Sequence, residues 1–102
     1  MYYMNYTPMH AEMSQRLLPI FTKYGVKRAI LFGSYAKGTA DEKSDIDMLV
    51  DSGLRGLKFV SLYEDIRRAL GKDIDLLDVS HIEKNSRIAK EISATGVIIH
   101  EK

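Results

Sequence analysis

The sequence predicts an α/β domain in which helices flank a mixed β-sheet of about four strands. Segments with apolar residues at helical spacing alternate along the chain with short β-rich segments. Glycine follows most of the helical segments, where a stop signal is expected. The chain has only 102 residues and no cysteine, so we expect one domain over residues 1–102, without disulfides or thiolate zinc sites.

The first element is a predicted amphipathic helix over residues 8–24. Thr7 followed by Pro8 is typical of a helix start, and apolar residues continue at helical spacing until Gly25. Pro19 lies inside this segment, and an interior proline costs about 3 kcal/mol. A kink or a break at this proline is therefore an open alternative.

The next part of the chain predicts two strands separated by a loop. The β-rich residues 26–32 predict the first strand, which stops at Gly33. Residues 33–44 carry several turn-forming residues and predict a loop that opens into a short helix. Residues 45–50 alternate between polar and apolar side chains, which predicts the second strand.

The second half predicts helix, strand, helix and strand in turn. Gly71 and Gly96 are the stop signals of the two helices. Ser80 and Glu83 have the spacing of a capping box, which predicts the start of the last helix. The predicted elements are a helix over 58–70, a third strand over 74–79, a helix over 81–95 and a fourth, edge strand over 97–99.

Composition excludes several classes of protein. Fifteen basic and 14 acidic residues give a formal charge of +1, so we expect no bulk nucleic-acid binding. The apolar runs are too short to span a bilayer, and the first residues do not have the pattern of a signal peptide. We therefore expect a cytoplasmic protein without a membrane partner. Tyr2, Tyr3 and Tyr6 are expected to pack on the core or on a partner, and the sequence leaves this choice open.

Three aspartates are the strongest candidates for chemistry. Asp45 and Asp47 are two apart on the second strand, so their carboxylates share one face. A helical crossover makes the second and third strands parallel neighbours, which brings Asp75 beside them. Two charges 4 Å apart repel by about 4 kcal/mol at an effective dielectric near 20, so a cation is expected there. Oxygen ligands favour Mg²⁺ or Mn²⁺, which in turn implies a phosphate substrate.

A second candidate feature follows the first strand. Gly33 allows close backbone approach to a ligand, and the Ser34 hydroxyl and nearby amides can hold a phosphate. Lys37 lies within reach of the same anion. A Walker A site is rejected, because this lysine precedes the second glycine, Gly38, instead of following it.

Ordinary structural roles account for some of these residues equally well. Asp45 alone is also typical of a turn or of the start of a strand, and Asp73 and Asp78 are also typical of solvated positions. His10, His81 and His100 share no metal-ligand spacing, so we expect surface or cap-proximal roles for them.

Gly33-Ser34, followed after ten residues by Asp45-Ile46-Asp47 and then by Asp75, resembles the signature of the nucleotidyltransferase superfamily that includes DNA polymerase β. The longer string is similar to the minimal nucleotidyltransferase (MNT) family of prokaryotes over residues 10–100. The resemblance implies the nucleotidyltransferase fold.

The resemblance also implies site residues at the matching positions. Lys37 stands where the pattern often has arginine, which keeps the charge but loses bidentate phosphate contact. Asp73 shares a strand face with Asp75, and the resemblance favours Asp75. The implied residues are Asp45, Asp47 and Asp75 as catalytic residues and metal ligands, with Gly33, Ser34 and Lys37 as the nucleotide-binding turn.

Members of the MNT family are typically encoded beside a HEPN-domain toxin, and some are antitoxins that transfer AMP from ATP to a tyrosine of that toxin. The resemblance therefore implies a Mg²⁺-dependent protein adenylyltransferase with two ions, ATP as substrate and a HEPN toxin as partner in a hetero-oligomer. A non-catalytic antitoxin that only binds the HEPN partner and a nucleotidyltransferase acting on a small molecule are the alternatives.

Overall fold

A computed structural model describes residues 7–102 as a four-stranded sheet with helices on both faces. This confirms the predicted fold class. The prediction for Tyr2, Tyr3 and Tyr6 lies outside the described residues. The elements are α1 (Pro8–Tyr24), β1 (Arg28–Phe32), α2 (Ser34–Lys37), β2 (Ile46–Asp51), α3 (Leu57–Leu70), β3 (Ile74–Asp78), a 3-10 turn (Val79–His81), α4 (Arg87–Thr95) and β4 (Val97–Glu101).

The strands lie in the order β3-β2-β1-β4. β1 pairs antiparallel with both β2 and β4, whereas β2 and β3 are parallel. The parallel pair follows from the crossover through α3, and β4 forms one edge of the sheet, as its sequence predicts. No helix within residues 7–102 is long and apolar enough to cross a membrane.

The two faces of the sheet bury different sets of side chains. α1 and α3 cover one face, where Leu17, Phe21 and Leu62 are fully buried. This face holds most of the buried residues. Burial of each large apolar side chain here contributes about 1.5–3 kcal/mol. Val60, which helical spacing places among the apolar residues of α3, is instead 52% exposed. α4 covers part of the opposite face through Ile92.

α1 is a single helix across the interior proline. Thr7 is its N-cap, and the Thr7 side chain accepts a hydrogen bond from the backbone N–H of His10. Pro19 lies inside the helix at an exposed position, where water can reach the carbonyl that loses its partner. The predicted helix over residues 8–24 is therefore confirmed, and the alternative of a break at this proline is wrong.

The start of the last helix was predicted at residue 81 and lies at Arg87. Asp78 is buried rather than solvated, and its side chain accepts hydrogen bonds from both the N–H and the hydroxyl of Ser80. Asp78 thereby caps a 3-10 turn, and the predicted capping box of Ser80 and Glu83 does not form. Asn85 then takes a left-handed conformation with φ of 63°, and Ser86 caps α4. The helix therefore begins where a free N-cap is available.

Candidate active site

Asp47 and Asp75 are directly opposite each other on the parallel strands β2 and β3. The residues on either side of Asp47, Ile46 and Met48, are buried against α1 and α3, so Asp47 points to the other face of the sheet. The same alternation applies to Asp75, whose neighbours are buried in the same core. Two carboxylates therefore meet on the open part of the α4-covered face.

Asp73 does not share this position. It precedes β3, and its carbonyl accepts a hydrogen bond from the N–H of Ile46. The strand register thus brings Asp75, rather than Asp73, beside Asp47. This geometry agrees with the choice of Asp75 that the resemblance favours.

The pKa of Asp47 is raised to about 6. Burial of the carboxyl is the largest cause, followed by the charge of Asp75, a hydrogen bond with Asp75, and the charges of Glu91 and Asp45. The four ion pairs among residues 7–102 all lie elsewhere in the molecule. Negative charge is therefore concentrated at this point, and no ion pair within the described part of the chain compensates it, which is the electrostatic condition that favours a bound cation.

Gly33 lies against the Asp47 side chain. A Cβ atom at position 33 would overlap Oδ2 of Asp47. The backbone of Gly33 has φ of 70° and ψ of −149°, a conformation that is essentially restricted to glycine. Both the space and the backbone conformation therefore require glycine at the point where β1 enters α2.

The predicted phosphate-binding residues follow directly from this glycine. Ser34 is the first residue of α2 and Lys37 is the last, and the N–H of Lys37 donates to the carbonyl of Gly33. Lys37 is exposed, and Ser34 is partly buried. The turn and the Asp47 carboxylate are thus neighbours in space, although residues 34–46, which contain α2 and the loop before β2, separate Gly33 from Asp47 in the sequence.

Asp45 lies outside the strand on which it was predicted. β2 begins at Ile46, so Asp45 is the residue immediately before it, and its side chain is exposed. Within residues 7–102, no three His, Asp or Glu side chains are gathered closely enough to hold a metal ion. The predicted trio of Asp45, Asp47 and Asp75 is therefore not preassembled. Their carboxylate oxygens are nevertheless the kind of ligand that Mg²⁺ prefers.

Glu91 is a site residue that sequence reasoning missed. Its charge contributes to the raised pKa of Asp47, so α4 brings a further carboxylate toward the pair. The adjacent Ile92 is buried against the face that carries Asp47, which explains this placement. The sequence alone does not indicate that Glu91 approaches Asp47, because a glutamate on a helix is usually solvated. Only the packing of α4 on the sheet reveals it.

An open polar cavity of about 520 Å³ borders the site at Asp45. It lies between the loop before β2 and the turn that connects α3 to β3. Its charged lining is Glu42, Lys43, Asp45, Arg67, Lys72 and Asp73.

The sequence of residues 15–102 matches the family described as "Polymerase beta, Nucleotidyltransferase". The match covers most of the chain, and the chain therefore belongs to this family and is a nucleotidyltransferase. One relative is the protein adenylyltransferase MntA of Thermococcus cleftensis, which is 40% identical over 74 residues. These residues represent 69% of this chain and 71% of the relative.

Two solved structures share the fold. A chain of a toxin–antitoxin complex with AMP-PNP superposes with a TM-score of 0.73 at 22% identity, over 87% of this chain and 73% of that one. A chain of the tri-AMPylated HEPN toxin of Shewanella oneidensis in complex with MNT antitoxin gives a TM-score of 0.68 at 19% identity, over 92% of this chain and 74% of that one. At these identities the likeness establishes the nucleotidyltransferase fold.

Proposed function

We propose that this chain is a Mg²⁺-dependent protein adenylyltransferase that moves AMP from ATP to a tyrosine hydroxyl of a HEPN-domain toxin and so acts as its antitoxin. The observation that carries the proposal is the Asp47–Asp75 pair, with Gly33 and Ser34 directly beside it. The similarity to protein adenylyltransferase MntA supports a protein as acceptor. The fold shared with an antitoxin bound to a tri-AMPylated HEPN toxin supports the class of partner.

Asp45, Asp47 and Asp75 would hold the magnesium. When bound, Mg²⁺ supplies positive charge that stabilises the phosphates and lowers the pKa of the acceptor hydroxyl. Its binding also requires an ionised Asp47. Burial is the main cause of the raised pKa of this carboxyl, and a cation would relieve the repulsion from the neighbouring carboxylates that adds to it.

Each remaining group has a role in transferring the nucleotide. The backbone at Gly33, the Ser34 hydroxyl and the Lys37 ammonium hold the triphosphate, and Asp75 accepts the proton of the acceptor hydroxyl. The hydroxyl oxygen forms a bond to the α-phosphorus, while the bond from that phosphorus to the bridging oxygen of the β-phosphate breaks. AMP becomes esterified to the acceptor, and pyrophosphate leaves.

The test is to incubate the purified chain with Mg²⁺ and α-labelled ATP in a lysate of its own host. We expect label in a protein band of the partner with the wild type and none with Asp47→Asn. Asp51→Asn is the matched control, because it makes the same chemical change at the other end of β2. Equal labelling by wild type and Asp47→Asn would contradict the proposal.

The two alternatives predict different outcomes of the same experiment. Label in a small-molecule fraction alone would identify a small-molecule nucleotidyltransferase. A partner that binds the chain but acquires no label in any fraction would identify an antitoxin that acts by binding alone.

A further inference from the structure

His10 is fully buried, although the sequence predicts a surface or cap-proximal position. The cap-proximal role is correct, because the ring Nδ1 accepts a hydrogen bond from the backbone N–H of Thr7 across 3.0 Å. The burial has a second cause. Nε2 lies 2.8 Å from the carbonyl oxygen of Tyr35, which is 25 residues further along the chain.

These two partners define the proton positions on the ring. A carbonyl only accepts, so Nε2 carries the hydrogen that is donated to Tyr35. The Thr7 amide only donates, so Nδ1 presents its lone pair. The ring thereby connects the N-terminus of α1 to α2 through two directed hydrogen bonds.

The bond to Tyr35 meets a need of α2. This helix has four residues, Ser34–Lys37, and ends at Gly38. The last carbonyls of a helix have no amide within it to bond, and the Tyr35 carbonyl is one of them. So short a helix has little rigidity of its own, since each added turn is stabilised by the turns before it. Its orientation therefore depends on contacts such as the one from His10.

The position of α2 matters because it carries the proposed nucleotide-binding turn. Ser34 opens the helix, Lys37 closes it, and Gly33 immediately before it lies against Asp47. A rotation of α2 would move Ser34 and Lys37 relative to the carboxylate pair. His10 itself is enclosed in the protein and does not reach the open face.

We propose that His10 is a positioning residue, which holds the turn at Gly33, Ser34 and Lys37 in the orientation that binds the triphosphate of ATP. This inference rests on the proposed function, because it assigns ATP to that turn. His10 acts through the backbone of α2 and makes no contact with the nucleotide.

Two substitutions separate the two hydrogen bonds of the ring. In His10→Asn, the amide oxygen can replace Nδ1 and keep the bond from Thr7, but the side chain is too short to reach the Tyr35 carbonyl. In His10→Gln, the amide N–H can replace Nε2 and keep the bond to Tyr35. Thr7→Ala is the matched control. It removes the hydroxyl that caps α1 and that also lies 3.2 Å from Nδ1, but it leaves in place the bond from the Thr7 N–H and the bond to the Tyr35 carbonyl.

The experiment measures the dissociation constant for ATP with Mg²⁺ by calorimetry, the KM for ATP, and amide hydrogen exchange at Lys37 and Thr39. The N–H groups of these residues donate to the carbonyls of Gly33 and Ser34, so they report the integrity of α2 without any need for activity. We expect His10→Asn to raise the dissociation constant and KM about fivefold or more and to accelerate exchange at both amides. His10→Gln and Thr7→Ala are expected to remain within about twofold of the wild type.

Three results would overturn the inference. A folded His10→Asn protein with wild-type affinity for ATP would show that the bond to Tyr35 does not position the turn, and it would leave the proposed function intact. Equal losses in His10→Asn and Thr7→Ala would reduce the effect to the stability of α1. A wild-type protein that binds no ATP would contradict the proposed function itself. If His10→Asn does not fold, the inference stands or falls on His10→Gln, which must retain ATP affinity and protected amides.

Discussion

The backbone of Gly33 is packed against the carboxylate of Asp47, so closely that a Cβ atom at position 33 would overlap Oδ2. The glycine lies between β1 and α2, and the aspartate lies on β2, so this contact joins the proposed phosphate-binding turn to the carboxylate pair. Any side chain at position 33 displaces one of the two.

Gly33→Ala is therefore expected to abolish AMP transfer and to destabilise the fold. The conformation at φ of 70° and ψ of −149° costs a non-glycine residue about 1–3 kcal/mol, and displacement of Asp47 adds to this. Gly25→Ala is the matched control, because Gly25 also has a positive φ, of 68°, but has open space around its Cβ position. Urea unfolding and transfer assays on both variants test this. Full transfer activity in Gly33→Ala would show that the contact is dispensable.

Asp47→Asn is expected to stabilise the protein in the absence of metal. The folded pKa of about 6 lies above the ordinary value of 3.8, so the unfolded chain releases its proton first as the pH rises. The free energy of unfolding of the wild type should therefore decrease as the pH rises from 3.8 to about 6, and it should stay lowered at higher pH. Asparagine cannot ionise and avoids this loss, which we estimate at about 1–2 kcal/mol near neutral pH after solvent screening.

Thermal unfolding from about pH 4 to pH 8 in the presence of a chelator tests this sign. The stabilities of the variant and the wild type should converge at the acid end, diverge as the pH rises from 3.8 to about 6, and differ by a constant amount above that. Magnesium should then raise the melting temperature of the wild type more than that of Asp47→Asn. A wild type that gains stability relative to Asp47→Asn as the pH rises, without metal, would refute the interpretation.

Asp78 has the opposite pH dependence. Burial favours the neutral form of this carboxyl, but hydrogen bonds donated by Ser52 and Ser80 outweigh burial and hold its pKa below the ordinary value. Its stabilising contribution is present above pH 3.8 and is lost as the pH falls through the lowered value. Asp78→Asn should reduce the free energy of unfolding by about 2 kcal/mol at neutral pH, because an amide cannot accept all of these bonds. Asp73→Asn, at an exposed position, is the control and should be neutral.

The observed start of α4 at Arg87 and the predicted start at residue 81 lead to different expectations for substitutions at Ser86 and Glu83. Ser86→Ala removes the hydroxyl that accepts the N–H of Ala89, so it should cost about 1 kcal/mol. Glu83→Ala should change the free energy of unfolding little, since the capping box at Ser80 does not form. Chemical denaturation of both variants decides this, and a larger loss in Glu83→Ala would restore the earlier helix start.

Local patterns in the sequence were sufficient to predict most of the fold. The alternation of Asp47 with buried Ile46 and Met48 identified both the strand and the face that carries the carboxylate. The strand–helix–strand crossover then predicted the parallel neighbour that brings Asp75 opposite Asp47. These features depend on residues that are close in sequence or on a strong topological rule.

The features that could not be predicted depend on contacts between distant residues. The start of α4 moved because Asp78 is buried and captures Ser80, which the spacing of Ser80 and Glu83 does not reveal. The burial of His10 depends on a carbonyl at Tyr35. The approach of Glu91 to Asp47 depends on how α4 packs on the sheet. Each of these contacts exists only in the assembled fold.

The Asp47–Asp75 pair is proposed to catalyse the transfer of AMP to a tyrosine of a partner protein. The most direct measurement is the intact mass of a HEPN partner from the same host after co-expression with the wild type, Asp47→Asn, Asp75→Asn or Asp51→Asn, followed by peptide mapping. We expect whole AMP increments on a tyrosine with the wild type and Asp51→Asn, and an unmodified partner with Asp47→Asn and Asp75→Asn. A partner that stays unmodified with the wild type, or is modified equally by the Asp47 and Asp75 variants, would contradict the account.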